Sequence, residues 1–180
     1  MLRFLTKIQW PDGSTQLFAY NADDRQMSFT NEDSATTATA YDVLGRVVSV
    51  TNALNGVMET TYDKDVNVLG TQDEMGNLTS LQYNSRNELV QETLPAPATG
   101  DANPVLSFTY DANGNELTST SALGRVTSFT WDKLNRMTSE ALPAPAQGQS
   151  GPVTTVAYDH LSRKVSETNA LSGTTTWVYA

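Results

Sequence analysis

Few side chains in this 180-residue sequence are suited to chemistry. It has no cysteine, which excludes cysteine-based catalysis, disulfides and thiolate metal sites, and its one histidine is His160. Asp159 precedes His160, and an Asp–His pair can act in acid–base catalysis. Neighbouring residues of an extended segment point to opposite faces, however, and no second histidine is available as a partner. We interpret His160 as a solvated turn residue, and predict no enzyme and no cofactor.

Two acidic segments have the alternating oxygen ligands that calcium loops favour. They are Asp63-x-Asp65-x-Asn67 and Asp111-x-Asn113-x-Asn115. Neither has a glycine at the sixth position of the loop, where a standard calcium loop turns sharply. Both coincide with turns predicted below, in which Asp and Asn have a structural purpose. We therefore predict no metal site.

The charge balance limits the classes of partner. The formal net charge is −9 and the isoelectric point is about 4.4, whereas phosphate backbones are bound by clustered Lys and Arg. No apolar run has the 18 or more residues that a membrane span needs. The opening residues 1–7 are too few and too polar for a signal peptide. We predict no nucleic-acid partner, no membrane span and no signal peptide.

Aromatic residues at a nearly constant spacing show how the chain is organised. These anchors are Tyr20, Tyr41, Tyr62, Tyr83, Tyr110, Trp131, Tyr158 and Tyr179. Successive anchors are 21 residues apart, except for two separations of 27. Both longer separations contain a proline-rich segment, near 94–104 and 142–152. A fixed period of this kind indicates a repeat architecture. The sequence predicts one array of about eight units over residues 1–180, with no separate second domain.

Each unit contains the signals of a β-hairpin. The anchor is usually followed by Asp, as at Asp42, Asp63, Asp111, Asp132 and Asp159, and Gly, Asn or Asp is common four residues after the anchor. These residue types tolerate a positive φ, so the pattern predicts a type I turn closed by a left-handed residue and followed by a bulge. We expect a β-branched residue at Gly45 or Gly114 to strain this turn most.

A second turn completes each unit and returns the chain. Segments such as Asn52-Ala-Leu-Asn-Gly56 and Asn169-Ala-Leu-Ser-Gly173 mark it, and short alternating runs flank both turns. No stretch keeps helical spacing for 10 to 12 residues. The sequence therefore predicts an all-β fold of tandem antiparallel hairpins of about 21 residues. The proline-rich segments are expected as longer loops on one rim.

Arginine recurs five residues after an anchor, at Arg25, Arg46, Arg136 and Arg163. We interpret these side chains as lying over neighbouring tyrosine rings or pairing with the carboxylates of the repeat. The alternative is a cationic stripe that faces a ligand. The tyrosines are likewise interpreted as packing anchors, with sugar-stacking platforms as the alternative.

The repeat resembles a known signature. Tyr41-Asp-Val-Leu-Gly-Arg-Val47 and Phe108-Thr-Tyr-Asp-Ala-Asn-Gly-Asn115 are similar to the YD repeat of the RHS family, which includes bacterial RHS proteins, C components of toxin complexes and the teneurins. The resemblance extends from about residue 16 to residue 180. The motif residues that it identifies here are Tyr41, Asp42, Gly45, Arg46, Tyr62, Asp63, Tyr83, Tyr110, Asp111, Gly114, Trp131, Asp132, Arg136, Tyr158, Asp159, Arg163 and Tyr179.

The resemblance implies a fold and a function. Its members form a long curved β-strip that spirals into a hollow shell, and bacterial members enclose a toxic C-terminal polypeptide that autoproteolysis releases. This chain has no Asp-Pro dipeptide of the kind found at that cleavage site, so we expect a fragment of the shell without protease or toxin. The implied partners are the remaining repeats and the C-terminal effector of a parent chain, and the implied location is secreted or at the cell surface.

Two functions follow as hypotheses. The leading one is a structural segment of a shell that encloses or displays a C-terminal toxin or effector polypeptide. The alternative is a cell-surface binding module for glycans or protein partners. We also expect self-association, because the end strands of a one-layer sheet expose unpaired backbone groups and the array lacks specialised caps.

Overall fold

The computed structural model describes residues 4–146 and 148–180, and these fall into two compact units divided between Ser80 and Leu81. The described residues form sixteen β-strands and no helix. They accordingly contain no helix that is long and apolar enough to cross a membrane. The prediction of an all-β chain built from antiparallel hairpin repeats is confirmed. The extent of the array over residues 1–180 stays a prediction.

The first unit contains seven complete strands and the beginning of an eighth. The strands are β1 (Lys7–Gln9), β2 (Thr15–Tyr20), β3 (Gln26–Thr30), β4 (Thr36–Tyr41), β5 (Val47–Thr51), β6 (Val57–Tyr62), β7 (Val68–Gln72) and β8 (Leu78–Tyr83), whose last three residues belong to the second unit. From β1 to β8 each strand pairs antiparallel with the next strand in the sequence.

The second unit continues the same pattern. Its further strands are β9 (Leu89–Thr93), β10 (Val105–Tyr110), β11 (Glu116–Thr120), β12 (Val126–Trp131), β13 (Met137–Ala141), β14 (Val153–Tyr158), β15 (Lys164–Thr168) and β16 (Thr174–Thr176). From β9 to β16 each strand again pairs antiparallel with its successor. Neighbours in sequence are thus neighbours in the sheet, which is the arrangement of a meander.

Two kinds of turn alternate at opposite ends of the strands. The turns that follow an anchor, which we call anchor turns, cover residues 21–25, 42–46, 63–67, 84–88, 111–115, 132–136 and 159–163. The turns at the other end, which we call return turns, cover residues 10–14, 31–35, 52–56, 73–77, 121–125 and 169–173. The two proline-rich segments occupy the remaining return-turn positions, between β9 and β10 and between β13 and β14.

Both kinds of turn share one backbone geometry. In the anchor turn 42–46 the amide of Gly45 donates to the carbonyl of Asp42 at 2.9 Å, and the amide of Asp42 donates to the carbonyl of Arg46 at 3.0 Å. The fourth residue has a positive φ, which is 80° at Gly45 and 73° at Val66. This is the type I turn closed by a left-handed residue. A β-branched residue is strained in that conformation, so Val66 occupies its position at a cost.

The proline-rich segments enlarge a return turn without changing the pair of residues that closes it. The amide of Leu94 donates to the carbonyl of Pro104 at 2.9 Å, and the amide of Leu142 donates to the carbonyl of Pro152 at the same distance. These bonds correspond to the bond between the first and fifth residues of a short turn. Gln147, within the second segment, lies outside the described residues.

The hairpins closed by anchor turns contain a register shift that the return turns lack. In the β6–β7 hairpin Thr61 pairs with Gly70, but Tyr62 pairs with Val68, so one residue of β7 is extra. The same shift precedes the anchors Tyr20, Tyr41, Tyr110, Trp131 and Tyr158. A bulge of this kind increases the local twist and re-aims the anchor side chain.

The sheet has little buried interior. Among the described residues Val156 is the one hydrophobic side chain that is buried, with 8% exposed. The two faces differ, because the residue before seven of the eight anchors lies on the opposite face of its strand and is Ala, Thr or Gln. On that face the hydroxyls of Thr109 and Thr118 lie 2.6 Å apart across β10 and β11. Hydrogen-bonded ladders and partly buried side chains at the anchors therefore stabilise the fold.

Candidate functional site

The residues singled out by the repeat meet at the anchor turns, which we treat as the candidate functional site. In the turn 42–46, Oδ1 of Asp42 accepts from the amides of Leu44 at 2.9 Å and Arg46 at 3.0 Å. Oδ2 of Asp42 accepts from Nε of Arg46 at 2.6 Å. The carboxylate thus holds its own turn closed and fixes the direction of the arginine. Both side chains are 19% exposed.

Arg46 extends from its own turn to the following repeat. Its Nη1 donates to the backbone carbonyl of Asp63 at 2.8 Å, and its guanidinium carbon lies 4.4 Å from the ring centroid of Tyr62. One side chain therefore makes an ion pair within its repeat and a hydrogen bond and a cation–π contact to the next repeat. This connects two successive anchor turns in addition to the strand ladder.

The anchor makes the reciprocal connection to the preceding repeat. The hydroxyl of Tyr62 donates to the backbone carbonyl of Val47, the first residue of β5, at 3.0 Å. Equivalent bonds join Tyr20 to Leu5, Tyr41 to Gln26, Tyr110 to Leu89 and Tyr179 to Lys164. The Tyr110 bond spans 21 residues where the others span 15, because the six-residue insertion lies between its two ends.

Trp131 makes the same backward connection with a different donor. Its Nε1 donates to the carbonyl of Glu116 at 2.7 Å. In the following turn the Asp132 carboxylate accepts from Nε of Arg136 at 2.7 Å and also pairs with its Nη2 at 2.6 Å. Nη1 of Arg136 donates to the carbonyl of Asp159 at 3.0 Å, and its guanidinium lies 4.7 Å from the ring of Tyr158. The arrangement of the first unit therefore recurs in the second.

Two further arginines complete the series. Arg163 pairs with Asp159 at 2.7 Å, and its guanidinium lies 4.3 Å from the ring of Tyr179. Arg25 lies 5.9 Å from the ring of Tyr41, and it pairs with Asp23 at 3.1 Å because its turn begins with an asparagine.

Arg86 takes the same role from a position that the sequence pattern did not single out. Tyr83 is the last residue of β8. The fifth residue after this anchor is Glu88, and the third is Arg86. Nη2 of Arg86 donates to the carbonyl of Asp111 at 2.7 Å and to Glu88 at 2.8 Å, and its Nη1 donates to the carbonyl of Ala112 at 2.8 Å. Here the arginine precedes the acidic residue, whereas in turns such as 42–46 the acidic residue comes first. A search for the Arg–acid pair in either order would have found Arg86.

The two segments with calcium-like spacing are anchor turns whose carboxylates accept protein donors. Oδ1 of Asp63 accepts from the amides of Asp65 and Asn67, both at 2.8 Å, and its Oδ2 accepts from Nδ2 of Asn67 at 2.8 Å. Asp111 is bound by Asn113 and Asn115 in the same way. The described part of the chain contains no group of three acidic or histidine side chains placed to hold a metal ion.

These donors shift the acidity of the turn carboxylates. The pKa of Asp42 lies below the usual aspartate range, because the Arg46 amide donates to its carboxylate and the Arg46 side chain adds to this against the opposing effect of burial. The pKa of Asp132 is lowered chiefly by the side chain of Arg136, and that of Asp63 by the side-chain amide of Asn67. The anchor-turn carboxylates are thus stabilised in their charged form.

His160 is exposed at the second position of its turn. The neighbouring Asp159 carboxylate accepts from the amides of Leu161 and Arg163 and from Nε of Arg163. Both oxygens of Asp159 therefore bind residues other than His160.

Gly114 closes the turn 111–115 with a φ of 86°.

The return turns use a similar first residue but make a different set of contacts. Oδ1 of Asn52 accepts from the amides of Leu54 at 2.8 Å and Gly56 at 2.9 Å, as Asp42 does in its turn. Nδ2 of Asn52 donates to Glu74 of the next return turn at 2.6 Å. The sequence pattern marked these turns by their glycines and asparagines but did not identify the shared cap.

Comparison with known proteins identifies relatives of both the repeat and the fold. The family model described as RHS Repeat matches residues 11–57 and 110–147. A crystal structure of TcdB2-TccC3-Cdc42 matches with a TM-score of 0.65 and 16% identity, covering 93% of this chain and 10% of that chain. A crystal structure of TcdB2-TccC3 matches with a TM-score of 0.64, the same identity and the same coverage. No curated protein sequence matches the chain. At this identity the structural likeness shows the fold, and the chain spans about a tenth of the solved chains it matches.

Proposed function

We propose that this chain, in which the RHS Repeat family model matches residues 11–57 and 110–147, is a segment of an RHS/YD-repeat wall of β-hairpins that encloses or displays a C-terminal toxin or effector polypeptide of its parent chain. The observation that carries this proposal is the connection between successive anchor turns. Arg46 reaches forward to the Asp63 carbonyl, and the Tyr62 hydroxyl reaches back to the Val47 carbonyl. Each hairpin is therefore held to its neighbours by more than the strand ladder.

The proposed mechanism is steric. A wall keeps a polypeptide enclosed only if no hairpin opens independently of its neighbours, because local opening creates a gap. The bonds made by Arg46 and Tyr62 in the first unit, and by Arg136 and Trp131 in the second, raise the free energy needed to open one hairpin alone. A thin sheet without a packed interior depends on such contacts more than a globular domain does.

A structural role without enzymatic activity fits the polar groups of this chain. The carboxylates of Asp42, Asp63 and Asp159 are held by backbone amides and by arginine or asparagine side chains. Their lowered pKa values keep them charged, whereas a general acid near neutral pH needs a raised pKa. His160 is exposed on a turn.

The contacts of the anchors weigh against the alternative of glycan binding. A sugar-stacking platform needs an accessible ring face, but guanidinium groups lie over the rings of Tyr62, Tyr158 and Tyr179. The hydroxyls of Tyr62 and Tyr179 are also used in bonds to the backbone. We therefore favour the wall over the binding module. By family resemblance the parent chain is secreted or displayed at the cell surface.

A protection experiment on the longer natural protein tests the proposal. The coding sequence on both sides of this segment would be recovered, the longer chain expressed, and its C-terminal polypeptide followed during proteolysis. We expect that polypeptide to survive in the intact protein and to be digested faster when Arg46→Ala and Arg136→Ala weaken the wall. Arg125→Ala, at an exposed return-turn position, is the matched control. Digestion of the C-terminal polypeptide as fast as when it is made alone would contradict the proposal.

A further inference from the structure

The arginines that end the anchor turns cover the aromatic anchor of the next repeat. Their guanidinium carbon lies 4.3 to 4.7 Å from the ring centroid in three repeats, at Tyr62, Tyr158 and Tyr179. In the turn 111–115 the corresponding residue is Asn115, and the next anchor is Trp131. Over the part of the chain that the structure describes, no arginine or lysine lies over the Trp131 ring. This anchor therefore lacks the cation that the repeat supplies elsewhere.

Asn115 does not replace the missing arginine. Its Nδ2 donates to Oδ2 of Asp111 at 2.8 Å and to Oδ1 of Asn135 at 2.8 Å, so its short side chain is used at the turns themselves. In other repeats the arginine binds the backbone carbonyl that begins the next anchor turn, as at Asp159. The equivalent carbonyl here belongs to Asp132 and accepts the Asn135 amide at 3.0 Å, but no side chain of the described residues. Because a carbonyl oxygen has two lone pairs, Asp132 can accept one more donor.

An open cleft lies beside Trp131 in the second unit. Its volume is about 440 Å³, which is within the range of ligand pockets. Aromatic and apolar side chains form most of its lining, namely Tyr110, Phe129, Trp131 and Met137. Asn115 and Glu116 also line it. The cleft thus combines aromatic rings with one ionisable carboxylate.

The carboxylate of Glu116 has no partner among the described residues. Its side chain is half-buried at the first position of β11, and the bond from Nε1 of Trp131 goes to the Glu116 backbone carbonyl. Burial raises the pKa of the Tyr110 hydroxyl, and the negative charges of Glu116 and Glu88 raise it further. A cation that enters the cleft is therefore attracted by a carboxylate that lacks a counter-charge.

We propose that this cleft binds the guanidinium group of an arginine side chain from a second polypeptide. The bound group takes the place that Arg46 has in its own repeat, against an anchor ring and beside a backbone carbonyl. Tryptophan makes the strongest cation–π contacts, and the Nε1 bond fixes the ring of Trp131. Phe129 and Met137 provide apolar surface for the methylene stem of the arginine. This inference goes beyond the proposed wall and does not depend on any enclosed polypeptide.

The chemistry of the cleft favours arginine over other ligands. A guanidinium is planar, stacks on an aromatic ring and donates to several acceptors at once, whereas a lysine ammonium is a compact and strongly hydrated charge. An anionic ligand is opposed by Glu116 and by the net charge of −9. A neutral sugar can stack on Trp131, but it leaves the half-buried Glu116 carboxylate without a counter-charge. An arginine side chain satisfies both the ring and the carboxylate.

The test is a titration of the full 180-residue chain with N-acetyl-arginine amide, followed by calorimetry and by the NMR signal of the Trp131 indole N–H. We expect saturable binding with a dissociation constant in the millimolar range, and about tenfold weaker binding of the citrulline analogue, which has the same shape without the charge. Methylguanidinium, which lacks the stem, should also bind several-fold more weakly. Equal binding of the citrulline analogue, of methylguanidinium or of glucose would overturn the assignment of an arginine side chain as the ligand.

Removing the carboxylate tests the charge of the cleft. Glu116→Gln should raise the dissociation constant for N-acetyl-arginine amide about tenfold, because it keeps the shape of the side chain and removes its charge. Glu59→Gln is the matched control, since it removes the same charge from an exposed position of β6 in the first unit. An equal effect of the two substitutions would mean that only the net charge of the chain attracts the ligand, and would overturn the proposal.

Restoring the arginine of the repeat tests the cleft in the opposite direction. In Asn115→Arg the new side chain has the turn position of Arg46, so it should pair with Asp111, cover Trp131 and exclude the ligand. We expect this variant to lose binding and to have a higher melting temperature than the wild type. Binding that Asn115→Arg leaves unchanged would overturn the proposal, because the ligand would then be bound elsewhere. A wild-type chain that does not bind the probe far above millimolar concentrations would overturn it as well.

Discussion

Anchor turns and return turns have the same backbone but use it differently. In both, a side chain at the first position accepts from two turn amides, as Asp42 and Asn52 do, and a left-handed residue closes the turn. The anchor turns then add an arginine that binds the following repeat. The return turns include the two proline-rich enlargements, and the third residue Leu54 is more exposed there, at 90%, than Leu44 is in its anchor turn, at 63%.

The difference shows that the arginine connections lie at one end of the strands and the two long insertions at the other. An insertion into an anchor turn would displace the arginine from its carbonyl partner in the next repeat. An insertion into a return turn leaves the closing pair unchanged, as the Leu94–Pro104 bond shows. New surface can therefore be added at the return turns without weakening the connection between hairpins.

The largest expected effect on the free energy of unfolding comes from replacing a glycine by valine, and it should differ between the two kinds of turn. Gly45→Val and Gly76→Val both place a β-branched residue at positive φ, which costs on the order of 1–2 kcal/mol. At Gly45 the new Cβ would also overlap the guanidinium of Arg25, whereas at Gly76 the neighbouring Gln72 is at an ordinary contact distance of 3.5 Å. We expect Gly45→Val to lower the free energy of unfolding by about 1 kcal/mol more than Gly76→Val, because Arg25 must leave the ring of Tyr41.

Urea denaturation of the two glycine variants measures this difference. An equal loss of stability would mean that the anchor turn is no more constrained than the return turn. A Gly45→Val variant as stable as the wild type would show that the turn geometry itself is wrong.

Removing an arginine tests the connection between repeats directly. Arg46→Ala loses the bond to the Asp63 carbonyl and the contact with Tyr62, so we expect a loss of about 1–2 kcal/mol in the free energy of unfolding. Arg86→Ala should have a similar effect, because Arg86 reaches the Asp111 carbonyl from its different position. Arg125→Ala is the matched control on an exposed return turn. If thermal unfolding were unchanged in the Arg46 and Arg86 variants, the arginine contacts between repeats would not stabilise the fold.

Val66 offers a substitution that should stabilise the protein. It is a β-branched residue at a φ of 73° in an anchor turn, at the position where two other anchor turns have Gly45 and Gly114. Val66→Gly relieves that strain, and after the flexibility of glycine in the unfolded chain is subtracted we expect a gain of up to about 1 kcal/mol. A higher melting temperature would support this. A clear loss of stability would show that the Val66 side chain makes a contact that outweighs its strain.

The smallest expected effect is a difference in acid sensitivity. The pKa of Asp42 is lowered in the folded chain, so its contribution to stability is present above the pKa of an unfolded aspartate, about 3.9, and is lost as the pH falls through the lower folded value. Asn52 makes the equivalent contacts in a return turn without a charge. Asp42→Asn should therefore flatten part of the acid side of the stability profile. The measurement is the free energy of unfolding of both proteins between pH 2 and 7. If the Asp42 carboxylate did not contribute to stability, the two proteins would show the same dependence on pH.

Most of the fold was predictable from the sequence because the same pattern recurs at eight aromatic anchors. The spacing of the anchors and the glycine or asparagine four residues later predict the hairpin and its left-handed closure, and the structure has both. Val66, which is not one of the expected residue types, keeps the positive φ because the flanking pairs of β6 and β7 fix the length of the turn. Local chemistry and register therefore agree over most of the chain.

The contacts between repeats were harder to predict than the repeat itself. The position of Arg46 could be recognised by its recurrence, but its carbonyl partner in the next turn depends on the spacing of the hairpins in the sheet. Arg86 was missed because it reaches the equivalent carbonyl from a position two residues earlier. A search for residues that recur at one position of the repeat cannot find an equivalent contact that a residue at another position makes. The exposure of Leu54 and Met75 was also beyond a sequence pattern, which does not distinguish a packed leucine from an exposed one.

The backward bond of each anchor has a consequence for how the chain acquires its structure during synthesis. Tyr62 binds the carbonyl of Val47, so the contact is available as soon as one further repeat has left the ribosome. Contacts this close in sequence carry a low loop-closure cost and favour rapid folding. Within each unit, folding can follow the order of translation, with each new hairpin using the one before it as a template. At the growing end a nascent array would then expose only its most recent strand, which shortens the time in which each new strand can pair with the wrong neighbour.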